Sequence, residues 1–135
     1  MSQFTLIVVP PEWQFGMPLP INQSTYELWK HKLEAGTRVV FYDPAAESIV
    51  GEGEVVGGFV RPKEWQTTSA DELPAWIQFA DYALPVRTLY QRNLDSVIPL
   101  DEVRYILNDN SFPRAIGELR EIDHPTYQQL TPAWL

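Results

Sequence analysis

The chain contains no cysteine among its 135 residues. A disulfide framework and a thiolate metal site are therefore both excluded. The two histidines, His31 and His124, do not have the spacing of a metal-ligand pair, and no cysteine is present to complete a zinc centre with them. A chain without cysteine suits the reducing cytoplasm, so we expect a cytoplasmic protein.

Basic charge is also scarce, since the formal net charge is −8. Proteins that bind nucleic acid through its phosphates usually carry a basic surface instead. The acidic excess is concentrated in residues 43–82. A solvated acidic surface is the simplest interpretation, and binding to a polyanion would have to depend on a pocket rather than on long-range attraction.

Long apolar runs are missing from the sequence as well. The first apolar run ends at Val9, immediately before Pro10 and Pro11, and no basic residue precedes it. Such a run is too short for the apolar region of a signal peptide and far too short to cross a bilayer. The sequence therefore predicts no contact with a membrane.

Recognisable catalytic motifs are absent too. No serine lies in a nucleophile elbow, and no glycine-rich loop precedes a Lys-Ser/Thr pair. The sharpest carboxylate pair is Glu52 and Glu54, which alternate onto one face of a predicted strand and could share a divalent cation. The other interpretation of this pair is a solvated strand face. The sequence does not favour an enzyme, and it predicts no catalytic residue, metal or cofactor.

Length and composition predict one domain over residues 1–135. Five Trp, six Tyr and six Phe supply ample core volume, while twelve prolines argue against long helices. Apolar and β-branched residues predict strands from Phe4 to Val9 and from Arg38 to Tyr42, the second ending in a turn at Asp43-Pro44. One or two further strands are predicted between Trp76 and Tyr90.

The next predicted strand carries glycines on one of its faces. Alternation places Glu52 and Glu54 on one side of the strand. It places Ile49, Gly51, Gly53 and Val55 on the other side. Missing side chains on an inward face let a sheet bend sharply, as small barrels require. This pattern indicates a small closed β-structure.

Three short helices are predicted. Ser24 and Glu27 form a capping-box pattern at the start of the first, which continues to Leu33 and is terminated by Gly36. Its core-facing residues are expected to be Leu28, Trp29 and Leu33. The second follows Leu100, where apolar residues recur at helical spacing, and the third begins after Asp123.

The order of these elements resembles the EVE domain of the PUA-like superfamily, which is related to ASCH and YTH domains. The resemblance is carried by the following segments: Phe4-Thr-Leu-Ile-Val-Val9, Trp13-Gln-Phe-Gly-Met-Pro18, Ala35-Gly36-Thr37, Val39-Val-Phe-Tyr42, Ile49-Val-Gly51, Ala83-Leu-Pro-Val-Arg87 and Ile98-Pro-Leu-Asp-Glu-Val-Arg104. It implies an α+β fold: a small PUA-like β-barrel of about five to six mostly antiparallel strands with short flanking helices. It also implies a non-catalytic module that holds a modified or flipped base of DNA or RNA between aromatic side chains.

Site residues follow from this resemblance. The ligand-binding residues it implies are Trp13, Phe15, Gly16, Asn22, Ser24 and Trp65. Aromatic faces of this kind hold bases by stacking, and the polar side chains could read a base edge. Phosphate contacts are expected from Arg61, Lys63 and Arg87.

Two alternatives remain open. One is a protein-interaction adaptor that uses the acidic residues 43–82 or an apolar patch at Leu19 and Ile21. The other is a metal-dependent ribonuclease of the ASCH type centred on Glu52 and Glu54. The resemblance favours the base-binding module over both.

Overall fold

The structure is a computed structural model that describes residues 4–11, 13–62, 80–91 and 98–131. Predictions concerning Lys63, Trp65 and Trp76 lie outside these residues. The described strands are β1 (Phe4–Val8), β2 (Leu19–Ile21), β3 (Arg38–Asp43), β4 (Ser48–Val55), β5 (Tyr82–Leu84), β6 (Val86–Gln91), β7 (Ile98–Pro99) and β8 (Leu119–Glu121). The described helices are α1 (Gln23–Trp29), α2 (Leu100–Leu107) and α3 (His124–Leu130).

Six of these strands form one mixed sheet in the order β6-β4-β3-β1-β8, with β7 also pairing with β4. The β1–β3 pair is parallel and the other pairs are antiparallel. Strands β2 and β5 form a separate antiparallel pair. This arrangement confirms the α+β class and the mostly antiparallel pairing, while closure into a barrel stays a prediction.

Each face of the six-stranded sheet carries its own apolar cluster. On one face, here called the α1 face, side chains of the sheet pack against α1, β2 and β5, and its buried residues include Ile7, Trp13, Leu19, Trp29, Val39, Phe41, Val55 and Leu84. On the other, the α2–α3 face, they pack against α2 and α3, and its buried residues include Leu6, Val8, Val40, Tyr42, Ile49, Val103, Phe112 and Leu130. Burial of these two clusters provides the main stabilisation of the fold.

A bulge in the β3–β4 pair changes which residues share a face. Phe41 pairs with Gly51, but the next residue of β3, Tyr42, pairs with Ile49, so Val50 is an extra residue. Ile49 therefore packs on the α2–α3 face. The prediction that Ile49 shares a face with Gly51 is wrong, because strict alternation does not continue through a bulge.

Helix α1 is shorter than predicted and has a different cap. Asn22, rather than Ser24, is the N-cap, and its side-chain oxygen accepts from the backbone N–H of Thr25 at 2.8 Å. The helix ends at Trp29, before Leu33. The prediction that Leu28 faces the core is also wrong, since 71% of this residue is exposed while its neighbour Trp29 is buried.

Helices α2 and α3 and the Asp43 turn are confirmed. The Asp123 side chain caps α3 by accepting from the backbone N–H of Thr126 at 2.8 Å. The carboxylate of Asp43 accepts from the backbone N–H of Ala45 at 2.9 Å in the β3–β4 turn. None of the helices in the described part of the chain has the length and apolar character needed to span a bilayer.

Leu19 and Ile21 do not form the apolar surface patch that was one of two contact surfaces considered for a protein-interaction adaptor. Both residues lie in β2, and both are buried in the cluster of the α1 face. They are apolar because they complete the core.

Candidate functional site

Two glycines of β4 let aromatic rings pack closely on the α1 face of the sheet. Gly51 pairs with Phe41 of β3 and Gly53 pairs with Val39, so the two glycines lie on the same face of the sheet as those residues. A Cβ atom at Gly51 would lie 2.6 Å from Cε1 of Phe15, and one at Gly53 would lie 2.7 Å from Cζ of Phe41. Two aromatic rings therefore occupy the space that side chains at these positions would fill.

Trp13 supports this group from beneath instead of presenting an open ring. The residue is only 7% exposed, and its indole N–H donates to the carbonyls of Met17 and Pro18, both at 3.2 Å. Its ring centroid lies 5.4 Å from that of Phe15 and 4.7 Å from that of Phe41. Trp13 thus fixes the loop that carries Phe15, whose own ring is only partly buried.

Gly16 gives that loop its shape. Its φ is +96°, in the left-handed region that favours glycine, and the residue is exposed. The turn at Phe15 and Gly16 directs the chain back towards β2. The structure therefore brings together three of the predicted site residues: Trp13, Phe15 and Gly16.

The edge strand β6 adds polar side chains to the same face. Thr88 pairs with Gly53 and Gln91 pairs with Gly51, so their side chains project on the side of the glycines and Phe15. Both residues are exposed. Sequence reasoning missed them, because a bulge at Leu89 interrupts the alternation along β6. Only the pairing of β6 with β4 shows which face these side chains lie on.

Asn22 and Ser24 form a second group at the start of α1. The side-chain oxygen of Asn22 already accepts from Thr25 and, at 2.9 Å, from the Ser24 hydroxyl. Arg61 lies close to this helix, with its guanidinium 4.3 Å from the ring centroid of Tyr82. The two groups are joined by β2, which begins directly after Pro18 and ends just before Asn22.

Arg87 does not join either group. It pairs with Glu54, and its guanidinium donates to that carboxylate at 2.9 Å. Residues at these positions project on the α2–α3 side of the sheet, opposite Phe15. The structure therefore separates the expected phosphate contact at Arg87 from the aromatic group.

Glu52 is a buried carboxylate, not the solvated strand residue that was one of the two interpretations. It is 0% exposed and accepts from the Tyr127 hydroxyl at 2.5 and 2.8 Å. The Arg38 guanidinium lies 3.5 Å from Glu52 and 3.7 Å from Glu54. Strand alternation alone did not reveal this burial, because α3, which covers Glu52, comes much later in the chain.

Burial raises the pKa values of both Glu52 and Tyr127. It raises the pKa of the Glu52 carboxyl, while the Tyr127 hydrogen bond and Arg38 oppose that rise. Burial, together with the carboxylate of Glu52, also raises the pKa of Tyr127 to about 12. Arg38 forms ion pairs with both Glu52 and Glu54, the two carboxylates that could have shared a cation. In the described ranges no group of three or more His, Asp or Glu side chains could hold a metal ion.

A groove of about 820 Å³ lies between the end of α2 and β8. Its charged side chains pair with each other: Arg120 contacts Asp109 at 2.6 Å and Glu118 at 3.2 Å, and Arg114 contacts Asp109 at 3.3 Å. The Arg120 hydrogen bond holds the pKa of Asp109 well below its usual range. These contacts hold the loop between α2 and β8 in place.

The chain shares its fold with solved structures that include ASCH and YTH domains, and the resemblance deduced from the sequence is confirmed at the level of the fold. No family model matches the chain, and no curated protein matches it by sequence. The likeness is therefore one of structure, at sequence identities too low to indicate more than the fold.

Three solved structures illustrate the likeness. The YTH domain of the Zygosaccharomyces rouxii MRB1 protein, in complex with N6-methyladenosine RNA, is 14% identical with a TM-score of 0.62, over 97% of this chain and 85% of that one. Human THYN1, in complex with 5-methylcytosine-containing DNA, is 12% identical with a TM-score of 0.61, over 94% of each chain. ASCH from Zymomonas mobilis is 13% identical with a TM-score of 0.57, over 97% and 95% respectively.

Proposed function

We propose that this chain is a non-catalytic module that binds a single unstacked base, modified or flipped out, of a DNA or RNA strand. The base would lie on the α1 face of the sheet, against the ring of Phe15. Thr88 and Gln91 would supply the polar groups that hydrogen-bond to the edge of the base. Trp13 would act as a positioning residue that holds Phe15 rather than as a second stacking surface.

The observation that carries this proposal is the placement of Phe15 over Gly51. Its partly buried ring lies directly against Gly51, where a Cβ atom would come within 2.6 Å of the ring. Stacking on one aromatic face contributes ~1–3 kcal/mol per base and tolerates any base. A carboxamide such as that of Gln91 offers both a donor and an acceptor, which is what reading a base edge requires.

Two of the structural neighbours support a nucleic-acid ligand. The YTH domain and human THYN1 share this fold, and each has been solved with a nucleic acid that carries a methylated base. One fold can host several functions, so this likeness supports the proposal only at the level of the fold. The main argument is the geometry of the site.

The charge distribution predicts how such binding would depend on salt. Of the three residues expected to contact phosphate, Arg87 lies on the opposite face and is paired with Glu54, which leaves Arg61 and Lys63 as the expected contacts. Each contact with a single strand adds about −0.7 to the slope of log K against log salt. Contacts from these two residues would give a slope of about −1.4.

The adaptor alternative loses two of its contact candidates. Its apolar patch is buried in the core, and Glu52, one of its acidic residues, is fully buried. Glu54 is paired with Arg38 and Arg87. The observations on the described residues therefore favour the base-binding proposal.

The proposal is tested with fluorescently labelled single-stranded 9-mers whose central position is 5-methylcytosine, N6-methyladenine, an unmodified base or an abasic sugar. Binding is followed by fluorescence anisotropy at low salt. The wild-type chain should prefer one base-bearing strand over the abasic strand. Phe15→Leu keeps apolar volume but removes the aromatic face, and should weaken that binding by roughly 5- to 150-fold.

Tyr105→Leu is the matched control, because Tyr105 is an aromatic residue 84% exposed on α2, across the sheet from Phe15. It should leave affinity unchanged. Equal affinity for the abasic and base-bearing strands would overturn the proposal. So would an equal loss in the Phe15 and Tyr105 variants.

A further inference from the structure

Helix α3 is held on the sheet by few apolar contacts. Of its seven residues only Leu130 is buried, and the ring of Tyr127 stacks on that of Phe4 with centroids 4.1 Å apart. The ring centroid of His124 lies 5.5 Å from that of Phe4. An element with few buried apolar contacts opens at a lower free energy than the core. We therefore expect α3 to leave the sheet before the sheet itself unfolds.

The hydroxyl of Tyr127 is the polar anchor of α3. It lies 2.5 and 2.8 Å from the two carboxylate oxygens of Glu52, which is 0% exposed. Among the described residues, the other partner of this carboxylate is the Arg38 guanidinium at 3.5 Å. An ionised carboxylate has about four acceptor sites, whereas one hydroxyl supplies a single donor. The docked helix therefore leaves an ionised Glu52 short of the hydrogen bonds that water would give it.

Several other charged or titratable side chains surround this contact: Glu54 on β4, Arg38 on β3, Arg87 and Tyr90 on β6, Arg104 on α2, and Asp123 and His124 at the start of α3. Arg38 and Arg87 both pair with Glu54. The hydrogen bond with Thr126 holds the pKa of Asp123 below its usual range, so Asp123 stays ionised near neutral pH. Glu54 and His124 are therefore the groups from which an experiment has to distinguish Glu52.

We infer that α3 is a pH-sensitive latch: it is docked while Glu52 is neutral, and ionisation of Glu52 favours its release from the sheet. The latch would operate whether or not a base binds at Phe15. Burial raises the pKa of Glu52 in the docked state, and release exposes the carboxyl to water. Docking is therefore strongest below the pKa of the exposed carboxyl and weakens as pH rises through the pKa of the buried one. Release would also uncover the ring of Phe4.

Amide hydrogen exchange, followed by NMR between pH 4.5 and pH 8, tests the latch when each rate is corrected for intrinsic exchange at that pH. The protection of the α3 amides from Tyr127 to Leu130 should fall about ten-fold for each unit by which docking raises the pKa of Glu52. Amides of the core strands, such as those of Leu6 and Val40, should stay better protected. Helix α1, which also has seven residues and lies on the other face of the sheet, is the internal control and should show no such fall.

Three variants identify the group responsible. Glu52→Gln keeps the shape of the side chain but removes its ionisation, so the protection of α3 should no longer fall with pH. Glu54→Gln makes the same change two residues away on the same strand and should retain the pH dependence, as should His124→Gln. An NMR titration of the Glu52 carboxyl carbon in the wild type is a second measurement. Its midpoint should lie above the ~4.3 of an ordinary glutamate, and the protection of α3 should level off above that midpoint.

Protection of α3 that does not change across this pH range would overturn the inference. A pH dependence that persists in Glu52→Gln, or disappears in His124→Gln, would also overturn it, because another group would then control the helix. Equal protection of α3 and the core strands would do the same, since α3 would then open only when the whole domain unfolds. If Glu52→Gln does not fold, a carboxyl midpoint at or below the ordinary value of ~4.3 would by itself contradict the latch.

Discussion

The hydrogen bond between Tyr127 and Glu52 gives the most precise prediction about stability. It joins α3 to a carboxylate that is fully buried in β4. Tyr127→Phe removes the hydroxyl and keeps the ring, which stacks on Phe4 with centroids 4.1 Å apart. The variant therefore isolates the hydrogen bond from the packing of the ring.

The expected loss follows from the charge on Glu52. Hydrogen bonds to charged groups contribute about 1.5–3 kcal/mol, and the free energy of unfolding should fall by this amount at pH 7. With roughly 4 °C per kcal/mol for a domain of this size, Tm should drop by about 6–12 °C. The carboxylate would be left with the Arg38 guanidinium at 3.5 Å.

The effect should also depend on pH. The pKa of Glu52 is raised in the folded state, so its neutral form is favoured by folding. Its contribution to stability is therefore fully present below the unfolded pKa and is lost as pH rises through the folded pKa. The Tyr127 hydrogen bond lowers the pKa of Glu52 and so favours the charged form, which means that Tyr127→Phe should cost less at pH 4, where more of the carboxyl is neutral, than at pH 7.

Urea and thermal unfolding of four chains measure this effect: the wild type, Tyr127→Phe, Glu52→Gln and the double variant. The two single changes should be coupled, because both disrupt the same contact. Tyr105→Phe, at an exposed position, is the control and should change nothing. The reasoning is refuted if Tyr127→Phe costs no more than the control, or costs the same at both pH values.

Three further predictions concern other parts of the molecule. Gly51→Ala should lower the free energy of unfolding by ~1–3 kcal/mol and weaken binding of the nucleic-acid strand, because the new Cβ would lie 2.6 Å from the Phe15 ring. Urea unfolding measures the first effect and fluorescence anisotropy the second, and a variant as stable as the wild type would contradict the first. Asn22→Ala should cost about 0.5–2 kcal/mol in urea unfolding, whereas Ser24→Ala should be nearly neutral, because Asn22 caps α1; the reverse order would restore Ser24 as the cap. Between pH 10 and 12 the wild type should lose stability that Tyr127→Phe does not lose, since the folded-state pKa of Tyr127 is raised to about 12 and the unfolded chain deprotonates first; identical pH profiles would contradict this.

Local patterns predicted those elements whose signals lie within a few residues. Strand β3 is a β-branched and aromatic run that ends at an Asp-Pro turn, and α3 begins after a capping Asp123 and a proline. The cap of α1 was misplaced by two residues, because both Asn22 and Ser24 are good capping residues and only the backbone geometry distinguishes them.

The remaining features depend on contacts between distant parts of the chain. Burial of Glu52 requires Tyr127, which is 75 residues away in sequence. The facing of Ile49 and of Gln91 is decided by bulges, which a period-two pattern cannot locate. The sequence predicted an aromatic group at Trp13 and Phe15. It did not predict which of the two is covered, because that depends on how the loop packs against the sheet.

The central claim is that a base binds on the α1 face, and NMR mapping of backbone amides tests it most directly. A 15.5 kDa chain suits this measurement. It is titrated with the preferred modified strand and with the abasic strand. Only the base-bearing strand should shift the amides of Gly16, Gly51, Gly53 and Gln91, while Gly117 should stay unchanged. Shifts confined to the α2–α3 face, or identical shifts with both strands, would contradict the account.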